Sequence, residues 1–124
     1  MIEIAELAAR LDDPDLTILD VRSRPEFTGE RGYASDPRQG RIPGARHLWV
    51  AELIMRRPEE IRELVGLPEG AEVVAYCHSG ARSAQAVEAL RVAGYEARNY
   101  VGSWHEWSRH PDLPAETGAS EEPK

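Results

Sequence analysis

Short apolar runs alternate with helical patterns along the chain, and this alternation restricts the fold more than any other feature. The strand-like runs cover 17–21, 44–48, Glu72–Tyr76 and 95–101. Helical spacing or capping residues predict helices over 3–11, 23–27, 51–55, Pro58–Val65, 83–93 and 103–109. Short strands separated by helices predict an α/β fold: an open, mainly parallel sheet flanked by helices on both faces.

The strand predicted at Glu72–Tyr76 leads directly into Cys77, the only cysteine of the chain. The next residues are His78-Ser79-Gly80-Ala81-Arg82, and the helix predicted over 83–93 follows them. Sites in parallel sheets lie at the carboxyl ends of the strands, where Cys77 and Asp20 both fall. Unpaired N–H groups at a helix start favour a thiolate or a bound anion, and they lower a cysteine pKa from about 8.5 toward roughly 3.5–7.5. A small buried residue that ends a core strand is the alternative interpretation.

Composition excludes several functional classes. A single cysteine leaves no internal disulfide and favours a reducing compartment, so we expect a cytoplasmic protein. No apolar stretch approaches the roughly 20 residues that cross a bilayer. The acidic, helix-like N-terminus is not typical of a secretory signal. The chain begins with methionine and contains one unit, so we expect a stand-alone domain. A net charge of −7 argues against nucleic-acid binding. The length fits one domain, 1–114, followed by a flexible acidic tail, 115–124.

Charged and imidazole side chains suggest further contacts. Six arginines lie between residues 22 and 46, against three acidic residues, and arginine suits bidentate binding of anions. Arg38, Arg41 or another member of this group is therefore a candidate contact for an anion, although genome composition or heat tolerance also explains the bias. The histidines are His47, His78, His105 and His110. Their spacing is not that of metal ligands, so we predict packing or solvated roles, no metal site and no cofactor.

Several motifs together resemble the rhodanese family of sulfurtransferases. They are Leu19-Asp20-Val21-Arg22 followed by Pro25-Glu26-Phe27, then Gly40-Arg41-Ile42-Pro43-Gly44-Ala45, then Cys77 to Ser83, and finally Gly102-Ser103-Trp104-His105-Glu106-Trp107. The resemblance extends from the first helix to about residue 114. One departure is Arg41, which stands where the family usually has histidine; that segment normally shapes the fold.

The resemblance implies a role for each matching residue. Cys77 would be the catalytic nucleophile that carries a persulfide. The loop that binds the donor would be formed by His78, Ser79, Gly80, Ala81, Arg82 and Ser83, mainly through backbone N–H groups. Gly80 would allow the bend that turns successive N–H groups toward an anion. Asp20 and Arg22 match the family's Asp-x-Arg element, and we expect them to support the loop.

The reaction implied by the resemblance moves a sulfane sulfur from thiosulfate, or a similar anionic donor, to cyanide, a thiol or a protein cysteine. The loop fits neither the basic pattern associated with thiosulfate nor the small, uncharged pattern associated with 3-mercaptopyruvate, and it looks more like single-domain thiosulfate members. Two alternatives stay open. One is an inactive or carrier module that delivers persulfide to a protein. The other is a cysteine phosphatase or arsenate reductase, which needs Cys-x5-Arg, whereas here Arg82 comes one position early and Ser83 follows it. Nucleic acid and membrane are not expected partners.

Overall fold

The structure, a computed structural model, describes residues 1–118; the rest of the predicted tail, 119–124, lies outside the described residues. The strands are β1 (Leu16–Asp20), β2 (Arg46–His47), β3 (Glu72–Tyr76) and β4 (Glu96–Asn99). The helices are α1 (Ile4–Ala9), α2 (Arg24–Thr28), α3 (Val50–Ile54), α4 (Pro58–Val65), α5 (Ala81–Val92) and α6 (Ser103–Trp107). No helix within residues 1–118 is long and apolar enough to span a bilayer.

The four strands form one sheet in the order β2-β1-β3-β4, and every neighbouring pair is parallel. β1 and β3 pair along their full length, so that Asp20 lies beside Tyr76 at the carboxyl edge. Cys77 is the next residue after Tyr76 and therefore leaves the sheet at this edge. The predicted parallel α/β class is confirmed.

Apolar side chains cover both faces of the sheet. On one face, residues of α3, α4 and α5, among them Leu53, Val65 and Leu90, pack against the sheet in a cluster that includes Cys77. On the other face, residues of α1, α2 and α6 form a second cluster, with Phe27 and Trp104 fully buried. The reactive-looking thiol therefore sits on a framework that is packed from both sides.

One boundary differs from the sequence prediction in a way that matters for the site. Helix α5 begins at Ala81, two residues before the predicted start at 83. Gly80 is the residue before the helix, with a left-handed φ of 98° that side chains rarely adopt. This turn sends the chain straight into the helix, so Ala81 and Arg82 belong to the first helical turn. The short helix predicted at 23–27 is also present, with Ser23 as N-cap and Pro25 in its first turn.

The described part of the predicted tail contacts the domain. The backbone groups of Glu116 pair with those of Arg41 at 2.9 Å, and the Gly118 N–H donates to the Thr28 carbonyl at 3.0 Å. Residues 116–118 therefore add a short antiparallel contact to the long 29–45 connection between α2 and β2.

A buried ion pair, Asp20–Arg22, lies at the carboxyl end of β1. The Arg22 guanidinium donates to both Asp20 carboxylate oxygens, at 2.7 Å to Oδ2 and 3.0 Å to Oδ1, and it also donates to the Gly40 carbonyl. The Tyr76 hydroxyl donates to Asp20 at 2.8 Å and accepts the Ile42 N–H at 3.0 Å. Both charged side chains are at most 1% exposed. Paired charges with further hydrogen bonds are the form in which burial of charge is tolerated, and here they tie the 40–42 segment to β1 and β3.

Replacing Arg22 by alanine should destabilise the protein by about 3–5 kcal/mol, because it leaves the buried Asp20 carboxylate without its partner. Arg56, whose guanidinium pairs with Glu52 on the surface of α3 at 2.7 Å, provides a matched control. Arg56→Ala should barely move the midpoint of urea unfolding. Equal midpoints for the two variants would show that the buried pair does not hold the fold.

Candidate active site

The Cys77 sulfur is the focus of several hydrogen bonds from the loop and from α5. The Gly80 N–H donates to Sγ at 3.1 Å and the Ser83 N–H does so at 3.4 Å. The Ser83 hydroxyl lies 3.3 Å from the same sulfur. The residue as a whole is only 1% exposed, so these donors surround a sulfur that has little contact with water.

Burial and hydrogen bonding act on this thiol in opposite directions. Burial raises the pKa of Cys77, because a thiolate loses its hydration in the interior. The Ser83 hydroxyl and the N–H groups of Ser83, Gly80 and Ser79 lower it, and their combined effect is the larger one. The pKa of Cys77 is therefore lowered, and the site favours the nucleophilic thiolate.

Gly80 makes this convergence possible. Its carbonyl accepts the Asn99 side-chain amide at 3.1 Å, and a Cβ built on Gly80 would lie 2.9 Å from the Val101 carbonyl oxygen. The left-handed conformation and the close approach of 101 both require glycine at this position. Its N–H group can then face the sulfur while α5 starts immediately behind it.

Helix α6 supports the loop from behind, a contribution that the sequence analysis missed. The Ser103 hydroxyl accepts the Cys77 N–H at 3.0 Å and donates to the Tyr100 carbonyl at 2.8 Å. The Trp104 and His105 N–H groups donate to the carbonyls of Cys77 and His78 at 3.0 and 2.9 Å. The first N–H groups of a helix lack partners within it, and here the loop supplies them. Only the resemblance at 102–107 marks this segment in the sequence.

The Arg82 side chain does not point at the sulfur. Its guanidinium binds both oxygens of the Glu26 carboxylate, at 2.9 and 3.1 Å. Burial raises the pKa of Glu26, but hydrogen bonds from Arg82 and Ser23 outweigh it and bring the value to about 2. Glu26 is thus an anion at neutral pH, and the pair connects the first turn of α5 to α2.

The His78 side chain also turns away from the sulfur, toward the 29–45 connection. Its Nε2 lies 2.9 Å from Asp36 Oδ2, and its ring stacks on Tyr33 with centroids 3.7 Å apart. Arg109 donates to the other Asp36 oxygen at 2.8 Å. Of the predicted loop residues, the structure thus brings Ser79, Gly80 and Ser83 to the sulfur, whereas His78 and Arg82 hold neighbouring segments.

Most arginines between residues 22 and 46 bind backbone carbonyls. Arg38 donates to four of them at the end of α6 and beyond, in residues 107, 108, 110 and 113. Arg41 donates to the carbonyls of Phe27 and Gly118, and Arg46 donates to that of Val65. The expectation that Arg38 or Arg41 contacts an anion finds no support in these contacts, which link loops and helix ends.

A shallow polar cavity of about 330 Å³ lies next to α5, lined by Ser23, Glu26, Gly32, Tyr33 and Arg82. The pKa of Arg82 is raised mainly by Glu26 and also by Cys77 and Tyr33, which places these groups within electrostatic reach of one another. A larger, more apolar groove of about 610 Å³ shares Ser23 with this cavity. The polar cavity therefore carries one arginine that is paired with a carboxylate, in the first turn of α5.

Such an arrangement can do two things chemically. The lowered pKa of Cys77 increases the fraction of nucleophilic thiolate at a given pH. The N–H groups around it can stabilise negative charge that develops beside the sulfur, as in an oxyanion hole.

Comparison with known proteins identifies the family that this chain resembles. A model of the Rhodanese-like domain matches residues 3–110. A probable 3-mercaptopyruvate sulfurtransferase of Pseudomonas aeruginosa is 37% identical over 95% of this chain and 45% of its own length. A thiosulfate sulfurtransferase of Azotobacter vinelandii is 36% identical over 89% of this chain and 43% of its own. A solved structure described as a probable thiosulfate sulfurtransferase is 46% identical, with a TM-score of 0.80 over 94% of this chain and 47% of that one. The chain spans about half the length of these relatives.

Ser83→Ala should raise the pKa of Cys77, because it removes the hydroxyl donor while keeping the backbone N–H. The thiolate fraction at a given pH then falls, so the pH profile of alkylation by iodoacetamide should move to higher pH. Ser79→Ala is the matched control, since Ser79 is exposed and acts through its N–H group alone. A profile unchanged in Ser83→Ala would contradict the assigned role of its hydroxyl.

Proposed function

The chain belongs to the rhodanese-like domain family, and from that premise we propose that it is a sulfurtransferase that carries sulfane sulfur as a persulfide on Cys77. The observation that carries the proposal is the set of N–H and hydroxyl donors directed at one buried sulfur. A structural cysteine gains nothing from such donors, whereas a nucleophile and a charged persulfide both need them.

In the first step the Cys77 thiolate attacks the outer sulfur of a donor such as thiosulfate. A sulfur–sulfur bond forms to Cys77 while the bond between the outer sulfur and the sulfonate sulfur breaks. Sulfite leaves as a dianion with the bonding electron pair, and the terminal sulfur of the persulfide keeps the negative charge that it carried in thiosulfate. The step needs neither a proton nor an external oxidant, which agrees with a sulfur whose partners in residues 1–118 are N–H and hydroxyl groups.

In the second step an acceptor nucleophile removes the terminal sulfur and restores the Cys77 thiolate. With cyanide the product is thiocyanate; with a thiolate it is a new persulfide. Helix α5 begins at Ala81, so the N–H groups of its first turn have no acceptor within the helix. We assign to these groups and to the Ser79 N–H the stabilisation of the terminal sulfur's charge between the two steps.

A small anion is the donor that this site suits. The hydrogen-bond donors at the sulfur are neutral, and the guanidinium of Arg82 is already balanced by Glu26. A dianion such as thiosulfate therefore gains stabilisation mainly from N–H groups and the start of α5, a helix of 12 residues. The relatives' names include both thiosulfate and 3-mercaptopyruvate, and we propose thiosulfate as the donor in vitro, with cyanide or a thiol as the acceptor.

Phosphatase or arsenate reductase chemistry fits the site less well. Those enzymes place an arginine six positions after the cysteine to grip oxyanion oxygens, and here that position is Ser83, whose hydroxyl lies against the sulfur. The nearest alternative is a persulfide carrier that serves one protein partner; it uses the same first step and differs only in slow turnover of small acceptors.

Exposure to thiosulfate should add one sulfur to the intact protein, and cyanide should remove it as thiocyanate. Mass spectrometry of the full chain, with peptide mapping to Cys77, measures both events. Cys77→Ser should neither gain sulfur nor form thiocyanate, because the chain has no other cysteine.

A persulfide that forms but does not turn over with cyanide or small thiols would identify a carrier. Sulfur transfer at near wild-type rate by Cys77→Ser would overturn the mechanism. Hydrolysis of an aryl phosphate at a rate comparable to sulfur transfer would instead support the phosphatase alternative.

Gly80→Ala should reduce thiocyanate formation by at least about tenfold, because the loss of one donor to developing charge typically costs that much or more. The added methyl would meet the Val101 carbonyl and disfavour the φ of 98° that aims the N–H at the sulfur. Gly66→Ala is the control: Gly66 has a φ of 72° at the end of α4, and a methyl added there would find nothing within 4 Å. Both variants should lose some stability, but only Gly80→Ala should lose activity. Equal activities would contradict the proposed role of the Gly80 N–H at the Cys77 sulfur.

A further inference from the structure

Three potential metal ligands from distant parts of the chain meet beside the loop that follows Cys77. The carboxylate of Asp36 and the imidazoles of His78 and His105 each offer one atom, and these atoms all lie within 4.8 Å of one another. We propose that this triad, Asp36–His78–His105, binds one divalent transition-metal ion of the kind that imidazole prefers, such as Zn²⁺. The proposal concerns a site separate from the Cys77 sulfur and does not depend on sulfur transfer.

The ligand separations suit a tetrahedral ion after a small adjustment. His78 Nε2 lies 2.9 Å from Asp36 Oδ2, His105 Nδ1 lies 4.0 Å from the other oxygen of that carboxylate, and one ligand atom from each residue lies within 4.8 Å of the other two. Bonds of about 2.0–2.1 Å at tetrahedral angles place neighbouring ligand atoms roughly 3.3 Å apart. The His78 and Asp36 atoms need to separate slightly, and the His105 imidazole needs to approach. Its side chain is 53% exposed, so it has room to do so.

Two of the ligands, His78 and Asp36, are already held in position. The His78 ring stacks on Tyr33, with an interplanar angle of 13°, and the His105 ring stands at 86° to it. Arg109 donates to Asp36 Oδ1, which leaves Oδ2 to face the His78 nitrogen. Hydrogen bonds of this kind to ligating carboxylates are usual around metal ions, because they fix the orientation of the ligand.

The charged groups at the triad are one carboxylate, that of Asp36, and one guanidinium, that of Arg109. Arg109 brings one positive charge, but its guanidinium donates to the carbonyls of His105 and Ser35 as well as to Asp36. The carboxylate of Glu106 lines the adjoining cavity. That cavity, of about 460 Å³, is lined by His105 and Arg109, so the exposed ligand of the triad faces it.

A bound ion would add a link between three segments that already meet through ion pairs at Asp36, ring contacts of His78 and side-chain hydrogen bonds of Arg38. Asp36 belongs to the long 29–45 connection, His78 to the loop after β3, and His105 to α6. Binding would therefore restrain the residue next to Cys77 without using the Cys77 sulfur. Zinc and other borderline ions fit two imidazoles and one carboxylate, whereas Mg²⁺ and Ca²⁺ prefer oxygen ligands.

The test uses the full chain carrying Cys77→Ser, so that a thiolate cannot supply the binding. Zn²⁺ is titrated by calorimetry, and Co²⁺ is added as a spectroscopic probe, because tetrahedral Co²⁺ absorbs visible light strongly. We expect one ion per chain and a tetrahedral spectrum. His105→Ala in the same background should weaken Zn²⁺ binding by at least about tenfold, since even residues that only support metal ligands contribute that much.

His110→Ala is the matched control, because His110 is an exposed histidine that is not part of the triad. It should bind Zn²⁺ as the Cys77→Ser parent does. At one fixed Zn²⁺ concentration the midpoint of thermal unfolding should rise equally in the parent and in His110→Ala and should rise less in His105→Ala, whose exposed side chain can be removed without unfolding the chain. Equal Zn²⁺ affinity in His105→Ala and the parent, or no binding by the parent, would overturn the proposal.

Discussion

The competition between burial and hydrogen bonding at the Cys77 sulfur is the constraint on which the site depends. A thiol that is 1% exposed would ordinarily stay protonated and inert, because the interior disfavours a thiolate. Here the N–H groups of Gly80 and Ser83 and the Ser83 hydroxyl reverse that preference. They can do so only because the chain turns at Gly80 directly into α5, which brings residues three and six positions away back to the sulfur.

The loop from Cys77 to Ser83, which surrounds the sulfur, is held in place by contacts from several directions. Behind it, Ser103 and the first N–H groups of α6 bind the backbone of Cys77 and His78. Below it, the buried Asp20–Arg22 pair ties the 40–42 segment to the sheet. In front of it, Arg82 is paired with Glu26 of α2. Each contact fixes a different segment, so the orientation of the loop amides is a property of the assembled domain rather than of the loop alone.

The sequence predicted the strands and helices better than it predicted which groups the side chains contact. The apolar run before Cys77 and the helical spacing over 83–93 predicted a strand, a short loop and a helix, and the structure has the strand at Glu72–Tyr76 and the helix at Ala81–Val92. The arginines of the 22–46 region show the opposite case. Their number suggested anion contacts, but Arg38 and Arg41 bind carbonyls that are far away in sequence. An arginine pattern cannot distinguish these roles, because carbonyls and anions accept the same guanidinium hydrogen bonds.

By itself, then, the sequence determined the parallel α/β class and the position of Cys77 at the carboxyl edge of a central strand. These follow from side-chain period, β-branched content and backbone sterics, all of which act over a few residues. Only the tertiary structure decided that Ser103 would support the cysteine from behind, that Arg82 would pair with Glu26, and that Asp36, His78 and His105 would meet. Such contacts depend on how the helices pack on the two faces of the sheet. The spacing of residues along the chain does not show which side chains from distant segments this packing brings together.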